Sequence, residues 1–125
     1  MSTRSVIRIV DKNGYRDLYH HFDGYPAGVG ADLMQHVYPI IQGPCSNRYN
    51  KDRLAFYLIS ADWDDSYEDA GGIHADIEYM YIVDLRTKEV RCLSGHYTRE
   101  TMQFKITKEI NLKQFIPVKE KEKYN

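Results

Sequence analysis

Residues 3–23 read TRSVIRIVDKNGYRDLYHHFD, and this stretch decides the architecture of the first part of the chain. Residues 3–12 and residues 15–23 are both rich in β-branched and aromatic side chains, which favours two β-strands. The Asn13-Gly14 pair between them is typical of a two-residue type I′ turn, because both residues tolerate positive φ angles. The sequence therefore predicts a β-hairpin.

A turn at Asn13 and Gly14 predicts a register in which Arg4 lies opposite Asp23. Residues that pair across two strands share a face of the sheet. One face then holds the predicted core side chains, which are Ile7, Ile9, Leu18 and Phe22, together with Ser5 and His20. The other face is predicted to be polar and carries Arg4, Arg8, Tyr19, His21 and Asp23 beside Val6 and Val10.

Helices are predicted in the middle of the chain. Residues 24–30 (GYPAGVG) hold three glycines and a proline, which favours a loop. Hydrophobic spacing predicts a helix from residue 31 to about residue 38, with a break or a new turn at Pro39. A second helix ends near residue 61 and is capped by Asn50 or Asp52. An acidic loop spans residues 62–69.

The last part of the chain predicts a sheet. Residues 73–84 alternate, residues 85–88 form a hairpin loop, and strands follow at 90–97 and 102–106. The order predicts a small single α+β domain at residues 1–118, whose sheet is mainly antiparallel and carries two helices on one face. Residues 119–125 (KEKEKYN) predict a charged, flexible tail.

Composition limits the classes of partner. The chain has 125 residues, with 17 basic and 18 acidic side chains, and this balance argues against nucleic-acid binding. A signal peptide and an apolar run of about 20 residues are not seen, so we expect a cytoplasmic protein without a membrane partner. Cys45 and Cys92 are expected to be free thiols, with a single disulfide as the alternative. Eleven tyrosines fit either half-buried strands or a binding face.

The polar face of the hairpin and the glycine-containing loop form the first candidate site. Arginine, histidine and exposed loop amides together suit a phosphate or a carboxylate. The alternative is that Arg4 and Asp23 only pair at the edge of the sheet. The predicted ligand- or partner-binding residues are Arg4, Arg8, Tyr19, His21, Asp23, Gly24, Tyr25, Pro26, Gly28 and Gly30.

A metal site is the weaker alternative. His74, Asp76 and Glu78 alternate along a predicted strand, and such side chains can bind Zn²⁺, Mn²⁺ or Fe²⁺. Residues two apart on a strand are about 7 Å apart, however, so a solvated outer face is favoured. The opposite, core face of that strand is then Ile77, Tyr79, Tyr81 and Val83.

Other chemistry has less support in the sequence. Asp62, Asp64 and Ser66 begin like a calcium-binding loop, but Tyr67 stands where glycine is needed. Cys92 is expected to pair with Tyr81 in the core. His20 is expected to be a core or edge histidine with its hydrogen bonds satisfied. The sequence predicts no bound cofactor.

Two short motifs carry a resemblance to a known group. Thr3-Arg4-Ser5 is followed by residues 19–26 (YHHFDGYP) and then by Gly28-x-Gly30. This arrangement resembles short uncharacterised phage and bacterial proteins with a Gly-Thr-Arg-Ser strand and an Asp-Gly-Tyr-Pro-x-Gly-x-Gly segment. The chain departs from them at Ser2, where glycine is usual, and at Val29, where histidine is common. The resemblance implies a phage or mobile-element origin, and the host cytoplasm as the compartment.

These features leave two functional hypotheses. The first is a binding module that recognises a host protein or a small anionic ligand through the hairpin's polar face and residues 24–30. The second is a small metal-assisted hydrolase or nuclease that uses His21 and Asp23, or His74, Asp76 and Glu78. Whether the protein is an enzyme stays open at this stage, as does its oligomeric state.

Overall fold

The computed structural model describes residues 3–71, 76–98 and 100–116. A six-stranded mixed sheet carries helices on one face, so the predicted α+β class is confirmed. The strands are β1 (Ser5–Asp11), β2 (Gly14–His20), β3 (Tyr67–Asp69), β4 (Tyr79–Asp84), β5 (Glu89–Thr98) and β6 (Gln103–Ile110). Their spatial order is β3-β2-β1-β4-β5-β6, and only β1 and β4 pair in parallel.

The helical part lies between β2 and β3. It contains two π-helical turns, Pro26–Gly30 and Leu33–Val37, followed directly by α1 (Tyr38–Gln42). A second helix, α2 (Lys51–Ile59), packs against the hairpin. Within the described residues, no helix is long and apolar enough to cross a membrane.

The hairpin forms, but its predicted register is wrong by two residues. Asp11 pairs with Gly14, so the turn is centred on Lys12 and Asn13. One carboxylate oxygen of Asp11 accepts a bond from the Asn13 amide at 2.7 Å, and the other accepts one from the Lys51 amide at 2.9 Å. Gly14 takes a φ of 136°, which only glycine adopts readily. The side chain of Asp11 therefore moves the turn back along the chain.

An even offset leaves the two faces of the hairpin unchanged, because side chains alternate with a period of two. The predicted core residues Ile7, Ile9 and Leu18 are fully buried, as is His20. Phe22 is the exception, because it lies beyond the end of β2 and is exposed. The core-face prediction is therefore confirmed except at Phe22.

The predicted loop at residues 24–30 is wrong, because Pro26–Gly30 forms a π-helical turn. Pro26 fixes φ at the first helical position, where its missing N–H is not needed. The Val29 amide donates to the carbonyl of Asp23 at 2.8 Å. A Cβ atom at Gly28 would lie 2.0 Å from that same carbonyl oxygen, so the tight turn requires glycine here.

The helix boundaries follow their sequence signals. Pro39 lies in the first turn of α1, as the predicted new turn requires. Asn50 caps α2, since its side-chain oxygen accepts a 2.8 Å bond from the Arg53 amide. Of the two capping residues proposed, Asn50 is therefore correct, while Asp52 lies in the first turn of the helix.

The later strands are confirmed in part. The predicted loop at 85–88 and the pairing of Tyr81 with buried Cys92 are both correct. Strand β4 begins only at Tyr79, and residues 73–75, which were expected to start it, lie outside the described residues. The acidic segment expected to be a loop contributes β3 at its end. The tail predicted at 119–125 also lies outside the described residues.

The sheet is buried on both faces, but unequally. The main core lies between the sheet and the helices and includes Tyr81 and Val83. A smaller cluster lies on the opposite face and consists of Val6, Tyr19, Ala70 and Ile77, packed against Met80 and Phe104. Ile77 was predicted on the same face as Tyr81, and this is wrong because residues 76–78 precede the regular strand. Cys45 and Cys92 are free thiols, as predicted.

Candidate functional site

The predicted polar face exists as a cluster at the open end of the hairpin, on the face of the sheet without helices. This outer cluster consists of Arg4, Tyr19, His21, Glu68 and Asp76. The Tyr19 hydroxyl donates to Asp76 at 3.1 Å, and Arg4 Nη1 lies 2.9 Å from the same carboxylate. His21 Nε2 lies 2.6 Å from Glu68 Oε1. The ring of His21 stands edge-on to that of Tyr19, with 4.6 Å between centroids.

The phenol of Tyr19 anchors this cluster. Burial, followed by the hydrogen bond to Asp76, raises the pKa of Tyr19 to about 12. The hydroxyl therefore stays protonated at neutral pH and donates to the carboxylate. Its ring is buried in the smaller core, so the cluster is fixed at its base and exposed at its charged ends.

The predicted pairing of Arg4 with Asp23 is wrong. Strand β2 ends at His20, and Asp23 takes a φ of 52° that turns the chain away from β1. Asp23 Oδ1 instead accepts a 3.1 Å hydrogen bond from the hydroxyl of Tyr25. Arg4 instead donates from Nη1 to Asp76 Oδ2 at 2.9 Å, so its carboxylate partner is Asp76.

The backbone amides expected to bind an anion are used inside the protein. The Gly24 amide donates to the Thr3 carbonyl at 2.9 Å, and the Gly28 amide donates to the Tyr25 carbonyl at 2.9 Å. The Gly24 carbonyl accepts a 2.6 Å bond from the hydroxyl of Tyr81. Gly30 is buried, and a Cβ atom there would lie 3.0 Å from the side chain of Leu112. These contacts tie the turn to the core.

Arg8 is also engaged. Its Nε and Nη2 atoms donate to the two carboxylate oxygens of Asp17 at 2.9 and 3.0 Å, which is a bidentate pair. The guanidinium carbon lies 4.0 Å from the ring centroid of Tyr15. Both arginines proposed for anion binding are thus neutralised by carboxylates of this chain.

The alternative metal site is not assembled by the described residues. Asp76 is bound to Arg4 and Tyr19, and His74 lies outside the described residues. Across residues 3–71, 76–98 and 100–116, no group of three histidine, cysteine, aspartate or glutamate side chains could hold a metal ion. His21 and Asp23 also have different partners, Glu68 and Tyr25.

A second polar cluster, which the sequence did not reveal, lies under the helices. His20 Nε2 is 2.8 Å from Asp64 Oδ2, and His20 Nδ1 bonds to the carbonyl oxygen of Phe22. The expectation of a satisfied core histidine is therefore confirmed. A carbonyl oxygen only accepts, so Nδ1 carries a proton, and Nε2 faces a carboxylate. The pair thus holds one further proton between Nε2 and Asp64.

The electrostatics of Asp64 support that assignment. Burial alone would raise its pKa, but the hydrogen bonds from His20 and from the Ser66 amide outweigh burial and hold the pKa of Asp64 below its ordinary value. Asp64 is therefore ionised at neutral pH.

Aromatic rings enclose this histidine. The ring of Tyr67 lies 4.6 Å from that of His20 and 5.7 Å from that of Trp63. Trp63 in turn stacks on His36 at 3.9 Å. Asp32 lies near this stack, and burial, followed by the charge of Asp64, raises its pKa. We call His20, Asp32, His36, Trp63, Asp64 and Tyr67 the inner cluster.

Ser5 is not positioned to act as a nucleophile activated by His20. Ser5 lies opposite His20 across the hairpin, and its buried hydroxyl has no hydrogen-bond partner among the described residues. Both ring nitrogens of His20 are already used, by Phe22 and Asp64. A serine nucleophile needs a free histidine nitrogen as its base, so Ser5 is not activated by this pair.

A groove of about 780 Å³ runs along the face of the sheet without helices. Its floor consists of apolar side chains from four strands, Val6, Met80, Leu93 and Phe104. Tyr15 and the Arg8–Asp17 pair line one side, and Tyr97, Met102 and Ile106 line the other. Met102 and Ile106 are 61% and 54% exposed. We call this surface the outer groove.

Comparison of the chain with models of known protein families, with curated proteins and with solved structures finds no match.

Proposed function

We propose that this protein is a binding module that recognises a protein partner through the outer groove. The observation that carries the proposal is the unequal cover of the sheet. Helices bury one face, while the other presents an apolar floor with Met102 and Ile106 at its rim. A groove with an apolar floor and large exposed apolar side chains at its rim is a surface to which protein partners bind.

The charges in the groove favour an uncharged, apolar segment as the occupant. Arg8 and Asp17 neutralise each other through two hydrogen bonds, so the groove offers no net charge to a ligand. Tyrosine at the rim and methionine at the floor and rim suit a protein surface, because they combine large contact area with adaptability. The resemblance to phage proteins supports a host protein as the source of that segment.

A small anionic ligand has less support than a protein. The hairpin's arginines are paired with carboxylates, and the amides of Gly24 and Gly28 donate to carbonyl groups of the same chain. An anion would have to break these contacts before it could bind. A metal-assisted hydrolase has less support for a similar reason, since His21 and Asp23 do not act on one another.

Selection from a random peptide library on the immobilised protein tests the proposal. We expect enriched peptides to be apolar and uncharged, and Ile106→Asp to weaken their binding at least about tenfold, because it places a charge against an apolar contact. Phe56→Asp is the matched control, since Phe56 is 69% exposed on α2, on the other side of the sheet. Enriched peptides that are acidic, or that bind Ile106→Asp and wild type equally, would contradict the proposal.

A further inference from the structure

The parallel pairing of β1 with β4 brings the ends of two hairpins to one edge of the sheet. Val10 lies opposite Asp84, so the chain leaves both strands at that edge. The turn at residues 12–13, the loop at 85–88 and the segment 46–50 between α1 and α2 line one cavity of about 520 Å³ there. Small-molecule sites measure about 300–1,000 Å³, so this cavity has the size of a ligand site.

Positive charge dominates the walls of this cavity. Among the described residues that line it, Lys12, Arg48, Arg86 and Lys88 are cations and Asp11 is the one carboxylate. The whole chain, by contrast, has a net charge of −1. Positive charge is therefore concentrated at this edge, and we call the cavity the basic pocket.

Three of these cations have no carboxylate partner. Lys12, Arg48 and Lys88 form no ion pair or side-chain hydrogen bond within residues 3–71, 76–98 and 100–116, whereas Arg86 lies 2.9 Å from Asp84. The two arginines of the hairpin's polar face are neutralised by carboxylates of the chain. An anion would therefore meet unpaired cations in the basic pocket and not on the polar face.

The carboxylate in the pocket is already used. Asp11 accepts from the amide of Asn13 at 2.7 Å and from the amide of Lys51 at 2.9 Å, and Lys51 Nζ lies 3.9 Å from it. These contacts hold Asp11 away from the three unpaired cations. They also occupy the Lys51 amide at the start of α2, so side chains rather than the helix offer contacts to a ligand.

Contacts within the chain fix the backbone that carries two of these cations. Gln42 Nε2 donates to the carbonyl of Lys88 at 2.7 Å, and Arg53 Nη1 donates to the carbonyl of Arg48 at 3.1 Å. Lys88 takes a φ of 60°, which a residue with a Cβ atom adopts only when its surroundings hold it there. A fixed backbone loses little conformational freedom when a ligand binds, which favours affinity.

We propose that the basic pocket binds a small molecule that bears phosphate, with Lys12, Arg48 and Lys88 as the groups that contact the phosphate oxygens. Lysine supplies a compact charge, and arginine can donate two parallel hydrogen bonds. A phosphate monoester carries about −1.5 to −2 charges at neutral pH, so three unpaired cations fit a diphosphate better. A bounded cavity in a chain without a basic excess favours a small molecule over a nucleic acid. The described lining residues are all distinct from those of the outer groove.

Isothermal titration calorimetry with sodium diphosphate, sodium phosphate and ADP, at low and equal ionic strength, tests the proposal. We expect one saturable site that binds diphosphate at least about tenfold more tightly than phosphate, because diphosphate can contact more of the cations. Added sodium chloride should weaken binding by screening the charges. Diphosphate and ADP share the same phosphate chemistry, and the tighter of the two identifies the source. No saturable binding of either, or tighter binding of an oligothymidylate, would overturn the proposal.

Variants locate the site. We expect Lys12→Gln and Arg48→Gln each to weaken diphosphate binding about tenfold, because each removes a charged contact. Lys105→Gln is the matched control, since Lys105 is also exposed and without an ion pair among the described residues but lies on β6 at the opposite end of the sheet. It should bind like wild type. Full binding by both Lys12→Gln and Arg48→Gln, or equal weakening by Lys105→Gln, would overturn the proposal.

Lys88→Gly separates binding from folding. Glycine adopts a φ of 60° without the steric cost of a Cβ atom, so this variant should resist urea at least as well as wild type. We nevertheless expect it to weaken diphosphate binding about tenfold, because one of the three unpaired cations is gone. A stable Lys88→Gly protein that binds diphosphate like wild type would overturn the three-cation site.

Discussion

His20 and His21 are neighbours in the chain, yet their side chains lie on opposite faces of the sheet. His20 Nε2 is 2.8 Å from Asp64, and His21 Nε2 is 2.6 Å from Glu68. The two contacts have nearly the same length. They differ in burial, since the side chain of His20 is 1% exposed and that of His21 is 53% exposed. Because the lengths nearly match, we expect burial, rather than distance, to decide what each contact contributes to stability.

The two pairs should differ because removing one partner leaves the other in a different environment. In the inner pair, a charged group would be left buried without a hydrogen-bond partner, which is costly. In the outer pair, water replaces the missing group, and the two long side chains regain freedom.

Asp64→Ala should produce the largest effect. It leaves His20 Nε2 buried without an acceptor, so we expect the free energy of unfolding to fall by about 3–5 kcal/mol. Urea denaturation followed by circular dichroism measures this loss. Asp64→Asn is the conservative control, because its amide oxygen can still accept from Nε2, and it should lose distinctly less. Equal stability of wild type and Asp64→Ala would contradict the role assigned to the inner pair.

Acid should remove the contribution of Asp64 to the free energy of unfolding. Its pKa is lowered in the folded protein, so its contribution to stability is fully present above the ordinary value of 3.8. The contribution is then lost as the pH falls through the lower, folded value. Urea midpoints of wild type and Asp64→Asn, measured between pH 7 and pH 2, should therefore converge at the acid end. A constant difference across that range would show that Asp64 is not the titrating group.

Asp32→Asn should have a smaller effect of opposite sign. Burial and the charge of Asp64 raise the pKa of Asp32, so its ionised form destabilises the fold at neutral pH. Removal of the charge should raise the free energy of unfolding by up to about 1 kcal/mol at pH 7, a figure kept low because the side chain is partly exposed. The gain should shrink once the pH falls below the raised value and vanish near the ordinary value of 3.8. Loss of stability at pH 7 would contradict this reading of Asp32.

The smallest effect is expected at the outer pair. His21→Ala should lower the free energy of unfolding by about 0–1 kcal/mol, because His21 and Glu68 are both more than half exposed. The same urea assay measures it beside Asp64→Ala. A loss as large as that of Asp64→Ala would break the comparison between the two histidines.

Local patterns account for the part of the fold that could be predicted. Alternation in residues 3–23 predicted the strands and both faces, because side-chain direction depends only on neighbouring residues. The register failed, because the turn is set by Asp11, whose second oxygen binds the amide of Lys51, forty residues away. The sequence contains no local signal for that contact.

The inner cluster was missed for the same reason. His20 was correctly assigned to the core face, and Asp64 was noticed in an acidic segment, but nothing in the sequence joins two residues 44 positions apart. Arg4 and Asp23 were joined through a register that was wrong. Residue type and face were therefore predictable, whereas the identity of the charged partners was not.

The hydrogen bonds of the His20 ring test the central claim most directly. Nitrogen-15 NMR of the side chains distinguishes the two ring nitrogens of His20 and of His21 in wild type and in variants. The structure predicts that Nδ1 of His20 carries a proton bonded to the Phe22 carbonyl and that Nε2 is hydrogen-bonded to Asp64. The Nε2 signal of His20 should therefore move strongly in Asp64→Ala, while the signals of exposed His21 should change little in Glu68→Ala. An unprotonated Nδ1 of His20, or an Nε2 signal that is unchanged in Asp64→Ala, would contradict the buried pair.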